Sequence, residues 1–134
     1  MRVLFDTNVL ASAFTSLGLC HQAYEQALLT AEMVTSQRLL DELHRVFVKR
    51  MKMDASLADE IVAELARELE VAEPTPLSRP VCRDKDDDWV LATGLAGRSE
   101  VIVTGDKDLL VLKEFQGIKI LSPRQFAEWM DRQK

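Results

Sequence analysis

The chain has 134 residues, 47% hydrophobic and 29% charged, and its 17 Lys+Arg against 22 Asp+Glu leave a formal net charge of −5. That length supports one domain, residues 1–134, with a real core, and the composition excludes a disordered chain, a repeat array and a polybasic tail. No apolar run approaches the ~20 residues needed to cross a bilayer, and the N-terminus lacks the pattern of a signal peptide, so a cytoplasmic protein with no membrane partner is expected.

The first residues, Arg2 to Phe5, form a short apolar run without helical period that ends at Asp6-Thr7-Asn8. A buried central strand that delivers polar side chains at its C-terminal end has this form. Apolar residues recur at helical spacing from Val9 to about Leu29, with a break near Gly18. Met33-Val34-Thr35 is a second strand. Ser36 then opens a long helix in which Leu39, Leu40, Leu43, Val46, Phe47 and Met51 make one apolar stripe. A further helix is expected from about Leu57 to Val71, capped by Asp54 or Ser56, followed by the Pro-rich loop Glu73 to Pro80.

The acidic run Asp84-Lys85-Asp86-Asp87-Asp88 leads into a helix that ends at about Gly97; acids in a first turn suit the helix dipole. Val101 to Thr104 is a β-branched strand ending at Gly105-Asp106, and Ile118 to Leu121 is another. Ser122-Pro123-Arg124-Gln125 carries the cap, first-turn proline and third-position glutamine of a capping box. Strands alternating with helices predict an α/β domain with a parallel sheet covered on both faces. Cys20 and Cys82 are too few and too far apart for a disulfide framework or a zinc site, and two reduced thiols are expected.

Ligands of open parallel sheets bind outside the carboxyl ends of the strands. Asp6 and Asp106 follow two such ends, the run Asp84 to Asp88 opens a helix returning to the sheet, and Glu42 flanks the apolar stripe of its helix. Carboxylates that converge without cations repel one another and raise their own pKa values unless a metal neutralises them, and hard divalent cations take oxygen ligands. His21 and His44 both fall on predicted helices, and the order of residues fits no Ser-His-Asp arrangement. Each acid also has an ordinary reading: Asp6 as a turn residue, Glu42 as a partner of Arg38 and Arg45, Asp84 to Asp88 as a solvated helix start.

Taken together, Val3-Leu4-Phe5-Asp6-Thr7-Asn8, Leu39-Leu40-Asp41-Glu42-Leu43, Arg83-Asp84-Lys85-Asp86-Asp87-Asp88 and Val103-Thr104-Gly105-Asp106-Lys107-Asp108 resemble, in order and separation, the motifs of PIN-domain nucleases. Within that family the chain resembles the branch of toxin–antitoxin system toxins related to the VapC-type toxins. The resemblance implies a three-layer α/β/α sandwich with a mainly parallel central sheet. It implies an Mg²⁺- or Mn²⁺-dependent endoribonuclease with RNA as substrate, an antitoxin as partner and a homodimeric assembly. Asp6, Glu42 and Asp106 match the first, second and fourth family acids, and Asp87 or Asp88 the third. Asp88 is favoured because Asp88-Trp89-Val90-Leu91-Ala92 resembles a pattern common in the toxins. Asn8, Asp84 and Thr104 match supporting polar positions.

The charges are unevenly spread. Gln37 to Met53 holds five basic and two acidic residues, whereas Asp54 to Glu73 holds seven acids and one base. Arg38, Arg45 and Lys49 share the side of the helix that carries Glu42, so they are candidate contacts to RNA phosphates; intrahelical ion pairing is the plainer alternative. A different class, the Mg²⁺-binding phosphoacceptor receiver domain, needs an acidic pair after its first strand and an Asp ending its middle strand, and neither is present. A catalytically weak PIN fold that only binds RNA or a partner is disfavoured because every acid position is filled.

Overall fold

The computed structural model describes residues 1–133. Its centre is a six-stranded sheet of β1 (Arg2–Phe5), β2 (Glu32–Ser36), β3 (Glu70–Ala72), β4 (Val101–Val103), β5 (Glu114–Phe115) and β6 (Ile118–Leu121), in the order β3-β2-β1-β4-β6-β5. All neighbours are parallel except β5 and β6. Seven helices flank it: α1 (Thr7–Thr15), α2 (Leu19–Thr30), α3 (Gln37–Arg45), α4 (Ala55–Glu68), α5 (Lys85–Ala96), α6 (Lys107–Leu110) and α7 (Pro123–Arg132). The expected α/β architecture with a mainly parallel sheet is therefore present.

The alternation of strand side chains divides the core in two. Val3, Phe5, Val101 and Val103 face one layer with α1, α2, α4 and α7, where Phe126 meets Phe5 edge-on at 5.7 Å. Leu4, Ile102, Ile118 and Ile120 face the other, against Val90 and Leu91 of α5 and Leu109 of α6. α5 comes close to the sheet at two glycines. A Cβ at Gly94 would lie 2.9 Å from Ile102 Cδ1, and one at Gly97 would collide with Val34. At the N-terminal edge Arg2 bonds Glu32 and Glu70, which ties β1 to the two strands on one side of it.

Local signals explain most of the elements. Gly18 caps α2 at the expected break, and Ser122 and Gln125 form the expected capping box. Three differences have physical causes. The helix expected to reach Val71 stops at Glu68, because Leu69 turns extended into the core and the next residues add β3 to the sheet edge. β5 and β6 form a hairpin around Gln116 and Gly117, both at positive φ (47° and 86°), the backbone required by a tight two-residue turn. Finally, α3 continues not as an α-helix but as a π-helical turn over Val46–Arg50, closed by the Met51 N–H donating to the Val46 carbonyl at 3.1 Å. The wider turn takes Met51 out of the predicted stripe, leaving it 39% exposed. No helix among the described residues is long and apolar enough to cross a membrane.

Candidate active site

The strand order reverses between β1, which is followed in sequence by β2 on one side, and β4 on its other side. The C-terminal ends of these two central strands therefore open onto the crevice where α/β folds bind ligands. Asp6 leaves β1 and caps α1: one carboxylate oxygen accepts the Thr7 N–H at 2.7 Å, and the other accepts the Thr104 hydroxyl, also at 2.7 Å. Thr104, fully buried just after β4, accepts the Asp106 N–H on the same hydroxyl at 3.0 Å. Asp106 in turn caps α6 by accepting the Asp108 N–H at 2.9 Å. One hydroxyl thus fixes two acids from distant parts of the sequence. The Thr7 hydroxyl donates to Glu42 Oε2 at 3.4 Å, which directs the α3 acid toward Asp6.

The acidic run fans out because successive residues on a helix point about 100° apart. Asp84 caps α5 by accepting the Asp86 N–H at 2.9 Å. Asp86 turns outward to Arg38 at 3.5 Å. Asp87 turns inward, is 7% exposed, and meets Asp106. Asp88 turns the other way and accepts the backbone N–H groups of Val81 and Cys82, the latter at 2.8 Å. Of the two candidates for the third acid, the structure brings Asp87 to the cluster. Asp88, the candidate favoured from the sequence, lies outside that cluster, and its carboxylate fastens the Pro-rich loop to α5.

Oxygens of Asp87, Asp106 and Asp108 lie within 4.8 Å of one another. Sequence reasoning misses Asp108, although it stands in the Gly105-Asp106-Lys107-Asp108 run. α6 has only four residues, too few to show which way its side chains point. Burial pushes the Asp87 carboxyl up to about 7, aided by its hydrogen bond to Asp106 and by the charges of Asp106, Asp84 and Asp6. Burial raises Asp6 as well, against its hydrogen bonds from Thr104 and Thr7 and with a push from Asp106. Glu42 is raised by burial and by Asp6 and Asp86, and lowered by Thr7 and Arg45.

Among the described residues, no Lys, Arg or His pairs with Asp6, Asp87 or Asp106. The one cation paired with the cluster is Arg83, which donates to both Asp108 oxygens at 2.9 and 3.1 Å from a side chain that is 88% exposed. A set of hard oxygen donors held close without compensating charge fits a divalent cation. Both histidines are engaged elsewhere, His44 with Asp59 at 2.6 Å and His21 with the Ala13 carbonyl at 2.9 Å. Of the supporting positions, Thr104 is central, Asp84 is a helix cap, and Asn8 is exposed on α1 while its neighbour Thr7 makes the contact with Glu42.

Beside Glu42 lies a cavity of about 260 Å³ lined by Arg45, Lys49, Arg50 and Asp86. Among the described residues none of these three basic side chains makes an ion pair. Arg38 departs from the predicted row, lying 4.8 Å over the ring of Trp89. Arg50 joins Arg45 and Lys49, since the π-helical turn rotates it toward them, a shift that a regular helical projection misses.

The parallel sheet, its switch point and the converging carboxylates define an α/β protein with an acidic crevice suited to a metal. The PIN domain family profile matches residues 2–108, and the chain belongs to that family. PIN domains are generally nucleases that act on nucleic acids with the help of divalent metals. No curated protein matches the chain.

Proposed function

We propose that this chain is a divalent-metal-dependent endoribonuclease acting in the cytoplasm. The observation that carries the reading is the meeting of Asp87, Asp106 and Asp108, with Asp6 fixed behind them by Thr104, in a crevice where no cation pairs with Asp6, Asp87 or Asp106 among the described residues. Asp87, Asp106 and Asp108 would hold the ion, with Asp6 and Glu42 completing the negative field. Mg²⁺ or Mn²⁺ bound there would supply a water of lowered pKa and charge neutralisation at a phosphodiester.

The remaining chemistry belongs to the chain itself. Thr104 and the α1 and α6 caps orient the carboxylates of Asp6 and Asp106 before any ligand arrives. Arg45, Lys49 and Arg50 stand beside Glu42, where they would contact phosphates of a strand laid across the crevice and offset the repulsion between RNA and the acids. The resemblance to VapC-like toxins further supports a toxin role, an antitoxin partner and a homodimer.

The test is cleavage of a single-stranded RNA by the purified chain with Mg²⁺ or Mn²⁺, with EDTA, and by Asp6→Asn. Cleavage that needs the metal and disappears in the variant is expected; cleavage that survives both the chelator and the substitution overturns the reading. Growth arrest on expression, absent for Asp6→Asn, tests the toxin role.

A further inference from the structure

Asp88 lines a cavity outside the acidic crevice. By accepting the Val81 and Cys82 N–H groups, Asp88 holds the Pro-rich loop over the outer side of α5. Between loop and helix lies a slot of about 200 Å³ lined by Pro76, Leu77, Trp89 and Ala92, with Arg79 and Lys85 exposed beside them. It is smaller than the ~300–1,000 Å³ of clefts that take whole drug-sized ligands. Its apolar walls and the indole suit one planar ring system. Arg38 lies 4.8 Å over the indole and reaches Asp86 at 3.5 Å.

We propose that this slot is a nucleobase subsite, taking one unpaired base of a nucleic acid strand by stacking and apolar contact. Three observations select that occupant. Among the described residues Arg79 and Lys85 make no ion pair, so the rim offers two cations to the phosphates flanking a base. Asp88, the one acid lining the slot, has its carboxylate engaged by the backbone N–H groups of Val81 and Cys82. Asp87, Asp88 and Trp89 are successive residues of α5, so the helix that sends Asp87 into the acidic crevice also carries the indole of the slot. Base–aromatic stacking tolerates any base, while a volume of about 200 Å³ limits ring size, so the slot would set a base preference within the bound strand. Its role in cleavage rests on the nuclease reading above; its capacity to bind a base does not.

The experiment has two arms. In the first, Trp129→Phe leaves Trp89 as the sole indole, and its fluorescence is followed in EDTA during titration with AMP, GMP, CMP and UMP, with ribose 5-phosphate as the baseless control. Quenching by at least one nucleotide and not by ribose 5-phosphate is expected. In the second arm, wild type, Trp89→Phe and Trp89→Leu cleave one defined RNA with Mn²⁺. Trp89→Phe should keep the base preference, whereas Trp89→Leu should flatten it and raise KM about tenfold with kcat little changed. Quenching by nucleotides from a wild type that cleaves no RNA sustains the subsite and removes the nuclease reading. Normal cleavage with no nucleotide quenching and an unaltered Trp89→Leu pattern overturns the subsite alone. Quenching by an apolar peptide amide and by no nucleotide also overturns it, in favour of a protein partner.

Discussion

The hydroxyl of Thr104 donates to Asp6 at 2.7 Å across 98 positions of sequence, and it does so from a fully buried site. A buried carboxylate keeps its geometry only if its lone pairs are satisfied, and this bond and the Thr7 N–H satisfy both oxygens of Asp6. Asp6→Asn can still accept one of these bonds while losing the charge. It should therefore fold with near wild-type stability, and its metal-dependent cleavage should fall by at least about 100-fold. Asp6→Ala leaves the Thr104 hydroxyl and the Thr7 N–H without partners and should cost about 1–3 kcal/mol in denaturant unfolding.

The three raised carboxyls make the metal-free chain sensitive to pH. Asp6, Glu42 and Asp87 hold protons more firmly folded than unfolded, so the native state binds the extra protons and stability falls as pH rises. For Asp87 the loss begins near the ordinary carboxylate range and is complete above its value of about 7. Without metal, the melting temperature should be higher at pH 5 than at pH 8. The stability difference behind it should be on the order of a few kcal/mol, and Mn²⁺ should remove it at pH 8. A melting temperature that rises with pH in EDTA would contradict this electrostatic description.

Asp87 and Asp88 are adjacent and have different duties. Asp87→Asn should abolish cleavage and raise the stability of the metal-free chain, since it removes a buried charge next to Asp106. Asp88→Ala should leave cleavage measurable and cost about 1–2 kcal/mol, because the Val81 and Cys82 N–H groups then have no acceptor. Unfolding curves and cleavage rates of the two variants separate the roles.

Much of this site is legible from strand ends. Asp6 and Asp106 follow short apolar runs, and the sheet topology brings them together, as the alternation of strands and helices implies. The register of three consecutive acids is not legible, because it depends on Asp84 taking the cap and thereby setting which side chain turns inward. Asp108 is hidden by the brevity of α6. Arg50 escapes for a different reason: a stripe projected at 3.6 residues per turn goes out of phase at the π-helical turn. β3 carries an exposed edge pattern that no apolar periodicity marks.

That widened turn has its own consequence. Arg45→Gln, Lys49→Gln and Arg50→Gln combined should weaken binding of a single-stranded RNA and flatten the dependence of log K on log salt by about 0.7 for each phosphate no longer neutralised. Arg50→Gln alone should contribute, although a regular helix would point it elsewhere. Filter binding across a salt series measures both, and an unchanged slope would remove these residues from the RNA path.

The central claim is that Asp87, Asp106 and Asp108 hold a divalent cation, and calorimetric titration of Mn²⁺ into the metal-free chain tests it most directly. Wild type should bind with an affinity that Arg83→Gln increases, because that substitution removes the cation competing for Asp108, while Asp87→Asn and Asp106→Asn should bind far more weakly. No binding by the wild type, or equal binding by Asp106→Asn, would contradict the account.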